Sequence, residues 1–141
     1  MNTLLRNTFL LAAVFAAQLA QADVALNATN FPDKNLRDYL SDYYDYDENG
    51  SLSDEERDDI TELYLDDSGS LKGIEYLTNL TYLRCTNGTL TSLDISKNTE
   101  ITDLDMSDCR KLATIKWPTD KSKFTFIHLK NPHGIDRKSV M

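Results

Sequence analysis

The stretch LTYLRCTNGTLTSLDISKNTEITDLDMSDC, residues 80–109, carries one spacing of apolar residues three times. In each copy, apolar residues occupy the first, fourth and sixth positions. Two further copies flank the stretch, and the five are Ile60-x-x-Leu63-x-Leu65, Leu80-x-x-Leu83-x-Cys85, Leu90-x-x-Leu93-x-Ile95, Ile101-x-x-Leu104-x-Met106 and Leu112-x-x-Ile115-x-Trp117. Ordinary amphipathic strands would not keep one spacing through five copies, so the pattern favours a stack of repeated strands.

The distance between the copies is typical of a solenoid. The middle positions 83, 93, 104 and 115 follow one another at steps of 10, 11 and 11 residues. Two steps make a coil of about 21 residues, which lies within the range of leucine-rich repeats. Asn98 and Cys109 each come three residues after the last apolar position of their copy, where this repeat places an Asn or Cys that bonds to the turning backbone.

A solenoid needs covers, because each coil buries its apolar side chains only against its neighbours. At the C-terminal end, residues 124–129 (FTFIHL) are predicted to form a last strand that closes the stack. At the N-terminal end, the segment before residue 60 is the expected cap. The exposed coil at residues 112–129 is a place where a second copy of the chain could pair.

The segment before the repeats contains DYDENGSLSDEE, residues 45–56, which satisfies the calcium-loop pattern of EF-hands. Calcium prefers six to eight oxygen ligands, and a loop supplies them by curling around the ion. Gly50 would permit the sharp turn, and Leu52 would anchor the loop to the core. The expected ligands are the side chains of Asp45, Asp47 and Asn49, the carbonyl of Ser51, Ser53 directly or through water, and both carboxylate oxygens of Glu56.

The flanks of this loop predict a helix on each side. Asn30 or Thr29 is the expected N-cap of the first helix, with Pro32 early in its first turn. Ser53 starts the second helix, whose first turn is acidic. The loop has three ligand carboxylates and no partner loop, so we expect weak binding, on the order of 10⁻⁴–10⁻³ M, and a structural ion. The alternative is an acidic, solvated turn. The apolar stripe of the first helix consists of Leu36, Leu40 and Tyr43.

The first 22 residues have the composition of a cleavable secretory signal. A start with one base, Arg6, precedes a largely apolar segment at residues 8–19 that is too short to span a bilayer. An A-x-A site follows at residues 20–22. We therefore predict a secreted, periplasmic or cell-surface protein with no membrane insertion after cleavage. Cleavage changes the net charge from −8 to −9, which disfavours nucleic acid as a partner.

The sequence gives little basis for catalysis, and we predict that the protein is not an enzyme. His128 and His133 lack a third ligand at a spacing suitable for zinc. Cys85 and Cys109 fall at inward repeat positions, where a thiol is inert. An exported protein can oxidise such a pair, but a disulfide needs Cα atoms within about 7 Å, so both redox states stay open.

The residues between the repeated apolar positions point outward, and those one coil apart form columns. The other face of the solenoid offers Asp94 and Lys116. Tyrosines beside an arginine are typical interface anchors, so the columns are the predicted partner-binding surface. The alternative is a set of merely solvated strand positions. One column is Glu62, Tyr82 and Asp103, and the other is Tyr64, Arg84 and Asp105.

Over residues 27–117 the chain resembles a family of bacterial exported leucine-rich-repeat proteins with an N-terminal EF-hand-like calcium-binding segment. The likeness rests on NFPDKNLRDYLSDYYDYDENGSLSDEE (30–56), LKGIEYLTNLTYLRC (71–85) and LTSLDISKNTEITDLDMSDC (90–109). It implies a curved, right-handed solenoid used for extracellular contacts, without catalytic chemistry. This chain is shorter than the family pattern, with about two and a half coils.

These features together predict an α+β protein in which an EF-hand-like helix–loop–helix caps a short leucine-rich-repeat solenoid. The expected divisions are a signal peptide at 1–22, the cap at 23–60, a solenoid of two to three coils at 61–129 and a flexible tail at 130–141. The predicted function is non-catalytic binding of an unknown protein or glycan, with Ca2+ mainly structural. The alternatives are a calcium-responsive or calcium-storing secreted protein and a small secreted hydrolase. The oligomeric state stays open.

Overall fold

The computed structural model describes residues 21–129. Most of the predicted signal peptide and all of the predicted tail therefore lie outside the described residues. Within residues 21–129, no helix is long and apolar enough to cross a membrane. The elements in chain order are β1 (Val24–Ala25), α1 (Lys34–Tyr44), β2 (Ser51–Leu52), α2 (Asp54–Asp58), β3 (Glu62–Asp66), a 3-10 turn (Ile74–Tyr76), β4 (Tyr82–Thr86), β5 (Ser92–Asp94), β6 (Asp103–Asp105), β7 (Thr114–Lys116) and β8 (Phe126–His128).

Each of the five predicted copies contributes one strand, which confirms the repeat. Strands β3, β4, β6 and β8 form a parallel sheet in that order, while β5 and β7 form a second parallel pair. The register places the middle apolar residues Leu63, Leu83 and Leu104 side by side, with Ile127 of β8 next in the row. The predicted last strand is therefore present and continues the larger sheet.

The apolar positions of the copies form the core between the two sheets. Leu63, Leu83 and Leu104 have no exposed surface. In the fifth copy, however, Ile115 and Trp117 are only half-buried, because β7 pairs with β5 alone among the described strands. Trp117 packs edge-to-face against Phe124, with ring centroids 5.4 Å apart, and the pair partly covers this end.

Helix α1 begins at a different cap from the one predicted. The N-cap is Asp33 rather than Asn30 or Thr29, and one oxygen of its carboxylate accepts the Leu36 N–H at 3.0 Å. The other oxygen accepts the Gly69 N–H at 2.7 Å, across 36 residues of sequence. One side chain therefore both starts the helix and holds the cap against the first coil, a second role that neither Asn30 nor Thr29 fills here.

The inner face of α1 also departs from the prediction at one position. Leu36 and Leu40 are fully buried as expected, but Tyr43 is 63% exposed. Tyr44, four residues after Leu40, takes the inner place, and its hydroxyl donates to the Glu62 carbonyl at 3.3 Å. Burial raises the pKa of the Tyr44 hydroxyl. Tyr43 instead stacks obliquely on Tyr39, with centroids 4.8 Å apart, so its ring stays at the surface.

The Asn/Cys position of the repeat is buried, as predicted. The Asn98 side-chain amide donates to the carbonyls of Ile74, at 2.7 Å, and Leu77, at 2.9 Å. The Cys109 thiol donates to the Cys85 carbonyl at 3.2 Å, and both cysteines are free. Sequence reasoning missed Ser68 and Gly88, which have the same spacing in the first two copies and are also buried. Asp120, at this position of the fifth copy, is exposed.

Candidate functional site

The acidic loop at residues 45–56 lies between α1 and α2 and is braced by a short antiparallel pair. Strand β2 pairs with β1, which places Leu52 opposite Val24. Leu52 is fully buried, so the loop is anchored to the core as predicted. Gly50 has φ 78°, the left-handed conformation that the turn was expected to need. The second helix, α2, is present but only five residues long.

Three of the predicted ligands converge. Asp45, Asp47 and Glu56 each offer a carboxylate oxygen, and these oxygens lie within 4.8 Å of one another. Asp45 and Glu56 are almost fully buried, at 7% and 5% exposure, whereas Asp47 is exposed. The two oxygens of Asp45 accept the N–H groups of Asn49, at 3.0 Å, and Gly50, at 2.9 Å. The backbone amides of the loop therefore turn towards the carboxylates.

Glu56 is held by the start of α2. One of its oxygens accepts the Ser53 N–H at 2.8 Å and the Ser53 hydroxyl at 2.9 Å, while the other accepts the Tyr46 N–H at 2.7 Å. Burial by itself raises the pKa of the Glu56 carboxyl, but these hydrogen bonds together outweigh it and hold the pKa below its ordinary value. The carboxylate is therefore charged and oriented at neutral pH.

The donor set of the loop fits calcium chemically, because it consists of hard oxygens at the positions that the pattern requires. Asn49 and Ser51 are in the same turn, where the Asn49 side-chain oxygen accepts the Ser51 N–H at 2.8 Å. The Ser53 hydroxyl is engaged by Glu56, which favours the water-mediated role for Ser53 over direct ligation. Among residues 21–129, this is the one group of three or more acidic, His or Cys side chains with suitably close ligand atoms.

Arg57 supports the loop from behind and was not found by sequence reasoning. The residue is 5% exposed, pairs with the Asp54 carboxylate, and donates to the Leu52 carbonyl at 2.9 Å. A second contact, 3.3 Å long, reaches the Ala22 carbonyl. Arg57 is the single base within the acidic region 42–67. Its isolation among acids could have identified it from the sequence as the residue that neutralises charge in the cap.

The predicted outward columns exist on the face of the larger sheet. Glu62, Tyr82 and Asp103 are in register, as are Tyr64, Arg84 and Asp105. Strand β8 lengthens the two columns by one residue each, Phe126 and His128. Sequence reasoning identified the strand but not these outward residues, although the alternation in FTFIHL would have supplied them.

Tyr64 and Tyr82 form an aromatic pair on the β3–β4 side of this face. Their rings stack with centroids 5.0 Å apart and an interplanar angle of 30°, and Tyr64 is 49% exposed. The Tyr64 hydroxyl donates to the Glu62 carboxylate at 2.8 Å. This hydrogen bond is the main cause of the raised pKa of Tyr64. The stacking and this hydrogen bond together hold the Tyr64 ring against Tyr82.

The charges on the same face are mostly negative. Arg84 lies 3.7 Å from the Asp105 carboxylate, and so does His128. Four acids occupy outward positions of the same strands, which leaves a negative excess on this face. The four are Glu62, Asp66, Asp103 and Asp105.

The two cysteines that were considered as nucleophiles do not reach the surface. Cys85 and Cys109 are at most 1% exposed. The hydrogen bond with Cys109, followed by burial, raises the pKa of the Cys85 thiol, so that it stays protonated at neutral pH. His128 is on the outward face, and the zinc pairing considered for it involves His133, which lies outside the described residues.

Proteins of Listeria monocytogenes have similar solved structures. One is an internalin, InlF, with a TM-score of 0.52 and 24% identity, covering 70% of this chain and 33% of that one. Another is the functional domain of InlJ, which includes a cysteine ladder, with a TM-score of 0.54, 27% identity, and coverage of 79% and 30%. This chain thus spans about a third of either structure. No protein-family model and no curated protein matches the sequence, and the chain has a solenoid-like repeat fold that resembles these leucine-rich-repeat internalins.

Proposed function

We propose that the protein is an exported, non-catalytic binding module whose partner docks on the columns of the larger sheet. The observation that carries this proposal is the stacked Tyr64–Tyr82 pair on the β3–β4 side of a regular sheet face, where Tyr64 is 49% exposed and Tyr82 is half-buried. Tyrosine rings supply large contact areas at a low cost in conformational entropy, and they are enriched at the energetic centres of interfaces. The likeness to internalin solenoids supports a protein as the partner rather than a small substrate.

The negative charge of this sheet face indicates the chemistry of the partner. Arg84 already has the Asp105 carboxylate beside it. Glu62, Asp66 and Asp103 accept hydrogen bonds only from neutral groups within residues 21–129, so their negative charge is not offset by a cation there. A partner that presents Lys or Arg would gain contacts with these carboxylates and stack its cations on the tyrosine rings. We therefore infer a protein segment rich in Lys and Arg, and a neutral glycan is the competing outcome.

Tyr82→Ala is expected to weaken binding of such a segment about tenfold or more, because it removes one half of the stacked pair. Basic peptides selected from a random displayed library on the wild-type protein would serve as probes, with their Kd measured by calorimetry. We also expect the Kd to rise with salt, since carboxylates contribute to the contact.

Tyr76→Ala is the matched control, because Tyr76 is also exposed, at 39%, but lies on the 3-10 turn outside the columns. Binding should be unchanged in this variant. The proposal fails if the library yields no basic peptides, or if the selected peptides bind Tyr82→Ala as tightly as wild type.

The second part of the proposal is that one calcium ion stabilises the cap. Asp45, Asp47 and Glu56 would hold the ion, with Asn49, the Ser51 carbonyl and a Ser53-bound water completing the oxygen set. The converging carboxylates at residues 45–56 support this, and the ion would supply a positive charge that offsets their mutual repulsion. With one isolated loop, the expected contribution to stability is about 1–2 kcal/mol at millimolar calcium.

Calcium is therefore expected to raise the melting temperature by a few degrees, whereas magnesium and chelator should not. Asp45→Ala and Glu56→Gln should abolish the shift. Glu55→Gln is the matched control, because Glu55 is an exposed acid on the same short helix and outside the cluster. The quantity to compare is the calcium-dependent shift within each variant, since Glu56→Gln also weakens the start of α2. Identical wild-type melting in calcium and in chelator would contradict this part of the proposal.

A further inference from the structure

A groove of about 360 Å³ lies over the β5–β7 pair and does not include the tyrosine face. Strand β5 pairs with β7 alone among the described strands, and the preceding coil contributes the 3-10 turn and its approach instead of a strand. The groove is lined by side chains from both sources. One wall carries Ser70, Lys72 and Glu75, and the other carries Ser92, Asp94 and Lys116.

The two acids of the groove are already engaged by the protein. One Asp94 oxygen accepts the Ser96 N–H at 3.0 Å and the Ser96 hydroxyl at 2.6 Å, and the other lies 3.1 Å from the Lys116 ammonium. The hydrogen bonds from Ser96, with the contribution of Lys116, lower the pKa of Asp94 to about 2. Glu75 accepts the Gly73 N–H at 2.7 Å.

Unlike the two acids, two of the three lysines that line the groove have no partner for the side-chain ammonium group within residues 21–129. Lys116 is paired with Asp94, but the ammonium groups of Lys72 and Lys97 have no hydrogen-bond or ion-pair partner within residues 21–129. Both side chains are exposed and line the groove. In a chain with a net charge of −8, two unpaired cations facing one concave site form a local positive region. Such a site attracts an anionic group.

We propose that this groove binds an acidic saccharide, a sugar unit that carries a carboxylate. The Lys72 and Lys97 ammonium groups would bind the carboxylate by charge-assisted hydrogen bonds. Sugar hydroxyls would bond to the Ser92 hydroxyl and to the remaining acceptor capacity of Asp94 and Glu75. The volume lies within the usual range of small-ligand sites, about 300–1,000 Å³.

The composition of the groove separates this ligand from other anions. No aromatic side chain lines it, so an aromatic or nucleotide ligand would find no ring to stack on. Six other polar or charged residues line the groove beside these two lysines, which suits a ligand with many hydroxyls better than an isolated inorganic anion. This site is independent of the tyrosine face, and the two proposals can fail separately.

The test is a titration of the isotope-labelled protein with a uronate-containing disaccharide, in which the amide chemical shifts are measured at each ligand concentration. The comparison ligands are the carboxyl-reduced disaccharide and inorganic sulfate. We expect shifts to cluster at residues 70–75 and 92–97, and the uronate to bind at least tenfold more tightly than either comparison ligand. Lys97→Gln and Lys72→Gln should each weaken uronate binding about tenfold, while Lys111→Gln, at an exposed lysine outside the groove, should not.

Each other result overturns the proposal. Equal binding of the carboxyl-reduced sugar would show that the lysines do not select an anion. Equal binding of sulfate would show a simple anion site without saccharide recognition. No shift with any ligand at millimolar concentration, in variants and wild type with unchanged melting temperatures, would show that the groove is not a binding site.

Discussion

Gly73→Ala is expected to lower the free energy of unfolding by about 2–6 kcal/mol, which is a large part of the stability of a domain of this size. Gly73 has φ 108°, a conformation that a residue with a side chain rarely adopts. The backbone strain contributes about 1–3 kcal/mol. A Cβ atom at this position would also lie 2.1 Å from the Phe31 ring and 2.8 Å from the Asn30 carbonyl oxygen.

The steric part of this prediction depends on Phe31. The ring has no exposed surface and packs edge-to-face on Tyr76 at 5.9 Å between centroids, so it cannot move without displacing the junction between cap and solenoid. Overpacking of this kind costs a further 1–3 kcal/mol or so. For a chain with about 110 described residues, we expect the melting temperature to fall by roughly 10 °C or more.

Gly50→Ala separates the two contributions. Gly50 also has a positive φ, 78°, but a Cβ there would meet no atom within 4 Å. It should therefore lose only the strain energy, about 1–2 kcal/mol. Both variants and wild type would be unfolded with denaturant in the presence of chelator, which removes any contribution of an ion. Equal losses in the two variants would contradict a steric role for Phe31.

The sequence was sufficient to predict the strands and their columns, because both follow from spacing. A step of 10 or 11 residues places successive strands on alternating sides of the stack. The alternation within Tyr82–Thr86 then decides which residues point inward. Glu62, Tyr82 and Asp103 could therefore be aligned before any contact was known, and the register confirms the alignment.

The missed features depend on contacts between distant parts of the chain. The capping bond of Asp33 to the Leu36 N–H is local, but its second partner, the Gly69 N–H, is 36 residues away and could not be predicted. Gly88 has the spacing of the Asn/Cys position but no side chain to mark it, and its tight packing is seen only in the structure, where a Cβ would lie 2.8 Å from the sulfur atoms of both Cys85 and Cys109. The groove over β5–β7 depends on a 3-10 turn in the previous coil, which no local pattern identified.

Leu104→Ala is expected to cost about 2–5 kcal/mol, the range measured for deleting a fully buried leucine side chain. Leu104 has no exposed surface and lies in register between Leu83 and Ile127. Neighbouring coils pack against it on both sides. Because a solenoid is stabilised only by such neighbour contacts, the cavity cannot be filled without moving an adjacent coil.

Ile115→Ala, in the same position of the last copy, should cost less, about 1–2 kcal/mol, because a half-buried side chain loses less burial and leaves a smaller cavity. Ile115 has Leu93 beside it in register, and no described strand lies on its other side. Denaturant unfolding of the two variants at several protein concentrations measures the difference. Equal losses would contradict an open end at β7, because Ile115 would then have to be covered in solution as completely as Leu104. A loss that grows with protein concentration would identify a second copy of the chain as that cover.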